Sequence, residues 1–431
     1  MASGDPAFKG REKPERIKEI NPVVKPRNVE DYRRLAAKRL PRMVFDYLEG
    51  GAESERGLRR NRAAFEAICF EPRRLLDVSR RDLSVEMFGR KLPMPLVVAP
   101  TGLNGALRPD GDVLLARAAA DAGIPFALST ASNATIEDVA DRAGGELWFQ
   151  LYIVQRALAE ALTRRALAAG YKTLVLTVDV PVNGKRERDM RNGFAVPFRY
   201  SPRAVLDSAL HPDWLLRQLR HGLPELANFA GPDSRDVNAQ AALMNRQMDA
   251  SFAWDDLKAL RDAWPHTLLV KGLLRAEEAK RCVQLGVDGV IVSNHGARQL
   301  EDVAAPVEEL AAFAARIDRP VLVDSGFRRG ADVVKALALG ARAVLLGRAT
   351  LYGLAARGGA GVADVLRILR QEIDTTLALI GCARAADLGP AFIRGNETAN
   401  AEPPGSAAEA GRPPIGLNRL VAPANVPRFG G

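Results

Sequence analysis

Between residues 96 and 348 the chain repeats one pattern. A short apolar run ends in a polar residue or glycine, and an alanine-rich amphipathic run follows it. The apolar runs are LVVAPT (96–101), FALST (126–130), LWFQLY (147–152), TLVLTVD (173–179), TLLVK (267–271), VIVSN (290–294), VLVDSG (321–326) and AVLLGR (343–348). Short stretches rich in Val and Leu predict buried strands. The segments ARAAADAG, IEDVADRAG, ALAEALTRRALAAG, AEEAKRCVQLG and ADVVKALALG predict the helices between them. Such alternation predicts βα units and a parallel sheet. Eight units predict a closed α/β structure, the (β/α)8 or TIM barrel, over an open doubly wound sheet. No GxGxxG opens the first unit, which counts against a nicotinamide-binding fold.

The flanks follow other patterns. Residues 1–27 are polar and charged, with Pro14, Pro22 and Pro26, and predict a poorly ordered arm. Asn28 is expected to cap a helix, VEDYRRLAAKRL, with Asp31 at its third position. Pro41 opens a second helix, PRMVFDYLE, and Gly50-Gly51 ends it. The barrel domain is therefore drawn from 28 to 388. Its last part, LYGLAARGGAGVADVLRILRQEIDTTLALIGC, reads as closing helices divided at Gly359. Residues 389–431, rich in Pro, Gly, Ala and Asn, read as a loose tail that could pack on a partner subunit. One connection breaks the rhythm. Strand four ends at Asp179 and strand five at Lys271, far beyond an ordinary crossover. The insert, drawn at 193–250, mixes Trp214, Leu215, Leu216, Leu219, Leu223 and Phe229 with Arg199, Arg203, Arg217 and Arg220. Apolar residues with arginines suit a segment lying on a membrane surface. A core segment or an oligomer contact is the other reading.

Composition narrows the field. A chain of 431 residues, 47% hydrophobic, can bury one large barrel or two ordinary domains. The net charge is +9 and the pI about 9.6. Residues 1–42 hold 12 Lys or Arg against 6 Asp or Glu, so most of the excess lies there. A basic arm could meet anionic lipid, an acidic partner or nucleic acid. No zinc-finger spacing or aromatic-basic interleaving points to nucleic acid. Cys69, Cys282 and Cys382 are far apart and form no CxxC, so neither a disulfide framework nor a metal site is expected. No signal-peptide core and no apolar run of spanning length is present, so no transmembrane helix is expected.

Candidate chemistry collects at the strand ends. In a β/α barrel these open onto one face. Thr101, Ser129, Gln150, Tyr152, Thr177, Asp179, Lys271, His295, Arg298, Asp324 and Arg348 should therefore converge. Singly, each could be a cap, a turn former or a salt-bridge partner. Together, charges in a barrel mouth cost solvation unless they are paired or used. In GVIVSNHGARQL, His295 can take a proton near neutral pH, and Arg298 can hold a carboxylate with two hydrogen bonds. That pairing suits oxidation of a 2-hydroxy acid. VDSGFRRG after strand seven and LLGRATLYG after strand eight lie where barrels bind phosphate. Gly326 and Gly347 can present backbone N–H groups and Arg348 adds charge, although glycines there also serve plain turns.

The motif SNHGARQL resembles the signature of the FMN-dependent 2-hydroxy-acid dehydrogenases and oxidases. The resemblance runs from about Val29 to Leu388. It implies a barrel with non-covalent FMN. Pro100, Thr101, Gly102, Ser129, Gln150 and Thr177 would meet the flavin edge, and Lys271 and Ser293 its electron-rich side. Asp324 would hold ribityl hydroxyls. Gly326, Arg328, Gly347 and Arg348 would hold the phosphate. His295 would be the base, supported by Asp179, with Tyr152 placing the substrate oxygen. Tyr47, Arg186 and Arg298 would grip the carboxylate, while Lys185, Arg188 and Arg191 look like ordinary ion-pair groups. One departure is Glu301, where the family usually has aspartate.

Within the family, ALSTASNATIEDVA, VNGKRERD and LHPDWLLRQLRHGLPELANF are similar to the branch that oxidises mandelate. That likeness implies peripheral attachment to the cytoplasmic face of the inner membrane, a quinone or other electron acceptor, and a homotetramer. It also implies an aromatic substrate such as (S)-mandelate, for which the small residues Gly102, Ala131 and Ser132 leave room. The alternatives are an L-lactate dehydrogenase, a soluble oxidase using oxygen, a flavin-bound isomerase, and a phosphate-ligand-binding barrel without turnover.

Overall fold

The computed structural model describes residues 25–194, 201–222, 224–231, 234–235 and 248–395. Most of the basic arm, Arg199 and Leu223 of the insert, and the tail from 396 lie outside these. The first helix, α1, is Val29–Arg39. The Asn28 side chain accepts from the Asp31 backbone N–H, and Val29, Tyr32 and Ala36 bury one face. Helix α2, Arg42–Glu49, starts after Pro41, buries Met43, Val44 and Leu48, and stops at Gly50. Helix α3 is Arg56–Ala67. Its first N–H, at Arg56, is taken by the Glu301 carboxylate at 2.8 Å, and Ser54 Oγ donates to the same group. A carboxylate at a helix start answers both the orphan N–H and the helix dipole. The acidic side chain at 301 thus pins α3 to the loop that follows strand six.

The eight barrel strands are β1 Leu96–Val98, β2 Phe126–Ser129, β3 Leu147–Leu151, β4 Thr173–Thr177, β5 Thr267–Leu273, β6 Gly289–Val292, β7 Val321–Val323 and β8 Ala343–Leu346. Each pairs in parallel with the next, and β8 closes on β1 through Leu345 opposite Val97. The strands are almost entirely buried, as a barrel wrapped in helices requires. Most end earlier than their sequence pattern suggests. The polar residues Thr101, Asp179 and Asn294 lie just past the last strand residue; Thr101 lines the mouth, Asp179 bonds His295, and Asn294 bonds Asn61.

A hairpin the pattern did not reveal, Val85–Met87 with Arg90–Leu92, sits at the other end. Its turn residues Phe88 and Gly89 both have positive φ. The Phe88 ring meets Trp148 edge-on at 6.2 Å and lies against Gly289, the first residue of β6. It closes the end of the barrel away from the polar mouth.

After β8 come helices Arg348–Arg357 and Gly359–Ile380. The break falls at Gly358, where φ is +64°, and Gly359 is already helical. Packing also continues past Leu388, because Phe392 and Ile393 are buried and Ile393 bridges to Phe70.

The insert contributes helices Pro202–Ala209 and Pro212–His221. Some of its apolar residues, Trp214 and Phe229 among them, face the barrel and not the outside. Trp214 Nε1 donates to Ala106 O at 2.8 Å, and Phe229 is buried. Gln218, also buried, donates to Gly105 O at 2.9 Å. Composition alone could not say which residues point inward. Those that remain outside are Val205, Leu206, Leu210, Leu216 and Leu219, each more than half exposed. Among the described residues no helix is long and apolar enough to cross a membrane.

Candidate active site

The chain leaves β6 through a left-handed turn. His295, Gly296 and Ala297 have φ of 57°, 63° and 58°. Side chains with a Cβ pay roughly 1–2 kcal/mol each for that conformation. The neighbourhood compensates by taking each backbone N–H. His295 N donates to Ser293 Oγ at 3.0 Å, Gly296 N to Ser325 Oγ at 2.9 Å, and Ala297 N to Asn294 Oδ1 at 3.0 Å. At the middle residue glycine also leaves room for Arg348: a Cβ there would lie 2.7 Å from Nη1 and would push the guanidinium off Gly296 O. Strain held this way is typical of functional turns.

The turn presents the His295 ring between two partners. Nδ1 lies 2.9 Å from Asp179 Oδ1, and Nε2 lies 3.2 Å from the Tyr152 hydroxyl. Burial alone would raise the Asp179 carboxyl, but the charges of His295 and Lys271 outweigh it and hold the group below its ordinary value. An ionised Asp179 accepts from Nδ1–H, which leaves the lone pair on Nε2. His295 and Tyr152 both line a cavity of 560 Å³.

Arg186 and Arg298 enter that cavity from the loops after β4 and β6. Arg186 is buried, and its Nε lies 3.4 Å from Asp189. Burial pushes the Asp189 carboxyl up to about 6, against the pull of Arg298. Arg298 Nη1 donates to Tyr47 O and Gly50 O, both at 2.8 Å. Both guanidiniums lie over the Tyr47 ring, at 5.7 and 5.0 Å, and the Tyr47 hydroxyl donates to Gly102 O. The neighbours behave as ordinary ion pairs: Lys185 and Arg191 with Glu187, and Arg188 with Asp46 and Glu55.

Further polar groups enter the cavity from other strand ends. Pro100, Thr101, Gly102, Ser129, Lys271 and Asp324 line it. Lys271 Nζ donates to Ser293 Oγ at 2.9 Å and pairs with Asp324 Oδ2 at 3.1 Å. Burial would lower this ammonium, but Asp324 and Asp179 raise it, so the lysine stays charged. Gly326, Arg328, Gly347 and Arg348 line the far end, where the helix Arg348–Arg357 begins. Arg328 Nη2 donates to the Tyr352 hydroxyl, and Arg348 gives three N–H groups to the carbonyls of Leu48, Gly50 and Gly296.

Four expected residues, Asp179, Ser293, Gln150 and Thr177, sit behind the cavity wall. Ser293 supports Lys271 and His295. Gln150 Oε1 accepts from Ser129 Oγ, while Gln150 Nε2 and Thr177 Oγ1 are buried without a hydrogen-bond partner among the described residues. Such atoms cost about 1–3 kcal/mol each unless a ligand meets them. An amide donor, a hydroxyl, a charged lysine and a helix N-terminus around one slot fit a flavin ring with a phosphate tail. Of the small residues, Gly102 and Ala131 line the cavity, whereas Ser132 is turned away to Ala134 O. Sequence reasoning missed Ser325, which latches the histidine turn to Asp324, and the apolar lining residues Phe194, Leu226 and Met248. No local motif marks these; they arrive from the turn after β7 and from the insert.

Fold and site together define a flavin-dependent oxidoreductase barrel. Residues 36–395 match the family described as FMN-dependent dehydrogenase, and the chain belongs to that family, the FMN-dependent 2-hydroxy-acid dehydrogenases. It is 59% identical over 376 residues to (S)-mandelate dehydrogenase of Pseudomonas putida, covering 87% of this chain and 96% of the relative. It is 41% identical over 364 residues to L-lactate dehydrogenase of Pectobacterium atrosepticum, covering 83% and 94%. A crystal structure of monotopic membrane protein (S)-mandelate dehydrogenase superposes with a TM-score of 0.84 at 59% identity, covering 86% of this chain and 99% of that one.

FMN is the cofactor. Purified protein should release a yellow chromophore on acid precipitation, with the mass of FMN and no covalent link to the chain. FAD, or no flavin after reconstitution, would overturn this.

Proposed function

We propose that the protein oxidises an aromatic (S)-2-hydroxy acid, (S)-mandelate to benzoylformate, at a membrane surface. The electrons pass to a quinone or another acceptor of the electron-transfer chain. The observation that carries the reading is the His295 imidazole, held by Asp179 and Tyr152 in the cavity that also receives Arg186 and Arg298. The 59% identical relative supports the substrate.

FMN, when bound, supplies the two-electron acceptor. Pro100, Thr101, Gly102, Ser129, Gln150 and Thr177 would hold its ring edge. Lys271, set by Ser293, would supply positive charge to the reduced ring. Asp324, Gly326, Arg328, Gly347 and Arg348 would hold the ribityl and phosphate end. Arg348 has three N–H groups on carbonyls, so it serves that end partly by fixing the backbone around it.

Arg186, Tyr47 and Arg298, through its Nε and Nη2 edge, fix the substrate carboxylate. Tyr152 donates to the substrate oxygen. His295 Nε2 takes the proton released on oxidation, and Asp179 stabilises the imidazolium that results.

For location, the exposed Val205, Leu206, Leu210, Leu216 and Leu219 stand beside Arg203, Arg217 and Arg220. This is the composition of a surface-lying membrane segment. The structural relative described as monotopic supports it. The reading places the protein on the cytoplasmic face of the inner membrane, as a homotetramer by family likeness.

The protein should sediment with anionic liposomes. Replacing the exposed Leu206, Leu210, Leu216 and Leu219 together by serine should release it while FMN and turnover persist. Unmodified protein left in the supernatant would end the membrane reading. A panel of mandelate, lactate and glycolate, each run with a quinone and with oxygen, tests the chemistry. A far higher kcat/KM for lactate would end the aromatic assignment alone.

A further inference from the structure

The described molecule has two apolar clusters. The large one is the barrel core. The small one comprises buried Leu103, Val154, Leu226 and Phe229, with Tyr47, Tyr152, Phe194 and Met248 packed against it. Tyr47 and Tyr152 are the two tyrosines that face the substrate position. Phe194 stacks on Tyr47, with ring centroids 4.4 Å apart and planes 18° apart. Phe194, Leu226 and Met248 all line the same cavity as His295, Arg186 and Arg298. None of the three belongs to a barrel strand. Phe194 follows the helix after β4, Met248 precedes the helix that leads to β5, and Leu226 lies between them. They sit at the two ends and in the middle of the long insert.

We infer that the insert builds the substrate's side-chain pocket, and that Phe194 and Met248 set the preference for an aromatic over a small 2-hydroxy acid. This rests on the aromatic-acid reading above. Wherever the carboxylate is held by Arg186 and Arg298, the group on the hydroxyl-bearing carbon needs an apolar wall. The polar side of the cavity, with Lys271 and Asp324, cannot supply one without stranding charges. The small cluster is the apolar surface next to the clamp, and it is anchored. The insert is tied to the loops after β1 and β2 through Gln218 to Gly105 O, Asn133 to Glu225 O, and Asn228 to Ser132 Oγ, at 2.9, 2.6 and 2.9 Å. A phenyl ring can stack or meet edges with Phe194, and the flexible Met248 thioether can fill around it. A methyl group offers far less apolar surface to either. The segment assigned to membrane attachment and the segment that recognises the ring are thus parts of one insert.

The test uses the FMN-loaded full-length protein with F194A, F194L and M248A. Two quantities are read. One is the ratio of kcat/KM for mandelate to that for lactate. The other is the ratio of Kd for phenylacetate to that for acetate, followed by perturbation of the flavin spectrum. Lost apolar contacts in a pocket change discrimination by about 10–200-fold. The mandelate-to-lactate ratio should fall roughly tenfold or more in F194A and M248A. F194L keeps an apolar wall without the ring stack and should fall less than F194A. Phenylacetate should lose its advantage over acetate in parallel. If Phe194 only steadies Tyr47, both substrates will drop together in F194A and M248A will keep the original ratio, which overturns the inference while the aromatic reading stands. If the unmodified protein already prefers lactate, both fall.

Discussion

The H295N protein should keep its FMN and lose nearly all flavin reduction by substrate. The expected loss is about 10²–10⁴-fold or more, the usual range for a positioned general base. The site makes this variant a clean one. His295 has φ of +57°, and asparagine tolerates the left-handed region better than most residues. The turn is held by Ser293, Asn294 and Ser325 through backbone N–H groups at 295, 297 and 296, so it does not depend on the ring. The amide is still able to donate toward Asp179. What it lacks is a basic nitrogen where Nε2 stood.

The measurement is anaerobic stopped-flow bleaching of the flavin, beside the FMN content of the same preparation. Bleaching at close to the original rate would remove His295 from the role of base. Loss of FMN instead would mean that the turn, and not the chemistry, had failed.

The reasons some of this was legible in the sequence are specific. The barrel strands are buried on both faces, so each had to be a largely apolar run, and eight such runs were visible. Their polar terminal residues were visible too, because nothing else in such a chain puts Lys271, Asp179 and Asp324 beside Val and Leu. The ends of the strands were less clear. A residue such as Asp179 continues the run in sequence while it has already left the ladder.

The floor hairpin escaped notice because three-residue strands have no measurable period. The direction of Trp214 and Phe229 was also hidden. Composition records that a segment is apolar, whereas the inward turn depends on partners such as Ala106 O, more than a hundred residues away. The same is true of Ser325 and Met248. Their part in the site comes from loops that meet only when the barrel closes. The left-handed run through Ala297 could not be read either, since alanine gives no local sign of positive φ.

Lysine in place of either clamp arginine should weaken carboxylate binding, and the two variants should differ. At Arg186 the guanidinium is buried beside Asp189. R186K keeps the charge and loses the planar fork, so one charge-assisted hydrogen bond to the substrate goes. Such bonds are worth roughly 1.5–3 kcal/mol, or about ten- to hundredfold in affinity. Arg298 has a second duty. Its Nη1 holds Tyr47 O and Gly50 O, the end of α2. Lysine at 298 has too few donors to keep both carbonyls and a carboxylate, so R298K should also displace Tyr47 and lower kcat as well as affinity. K185A is the control, because Lys185 is largely exposed and pairs with Glu187. The readout is Kd for an unreactive carboxylate from flavin absorbance, set beside kcat and KM for the substrate. R186K should raise Kd and KM with the smaller change in kcat, R298K should change all three, and K185A should change each less than twofold. Equal small shifts in the three variants would show that the carboxylate is held elsewhere.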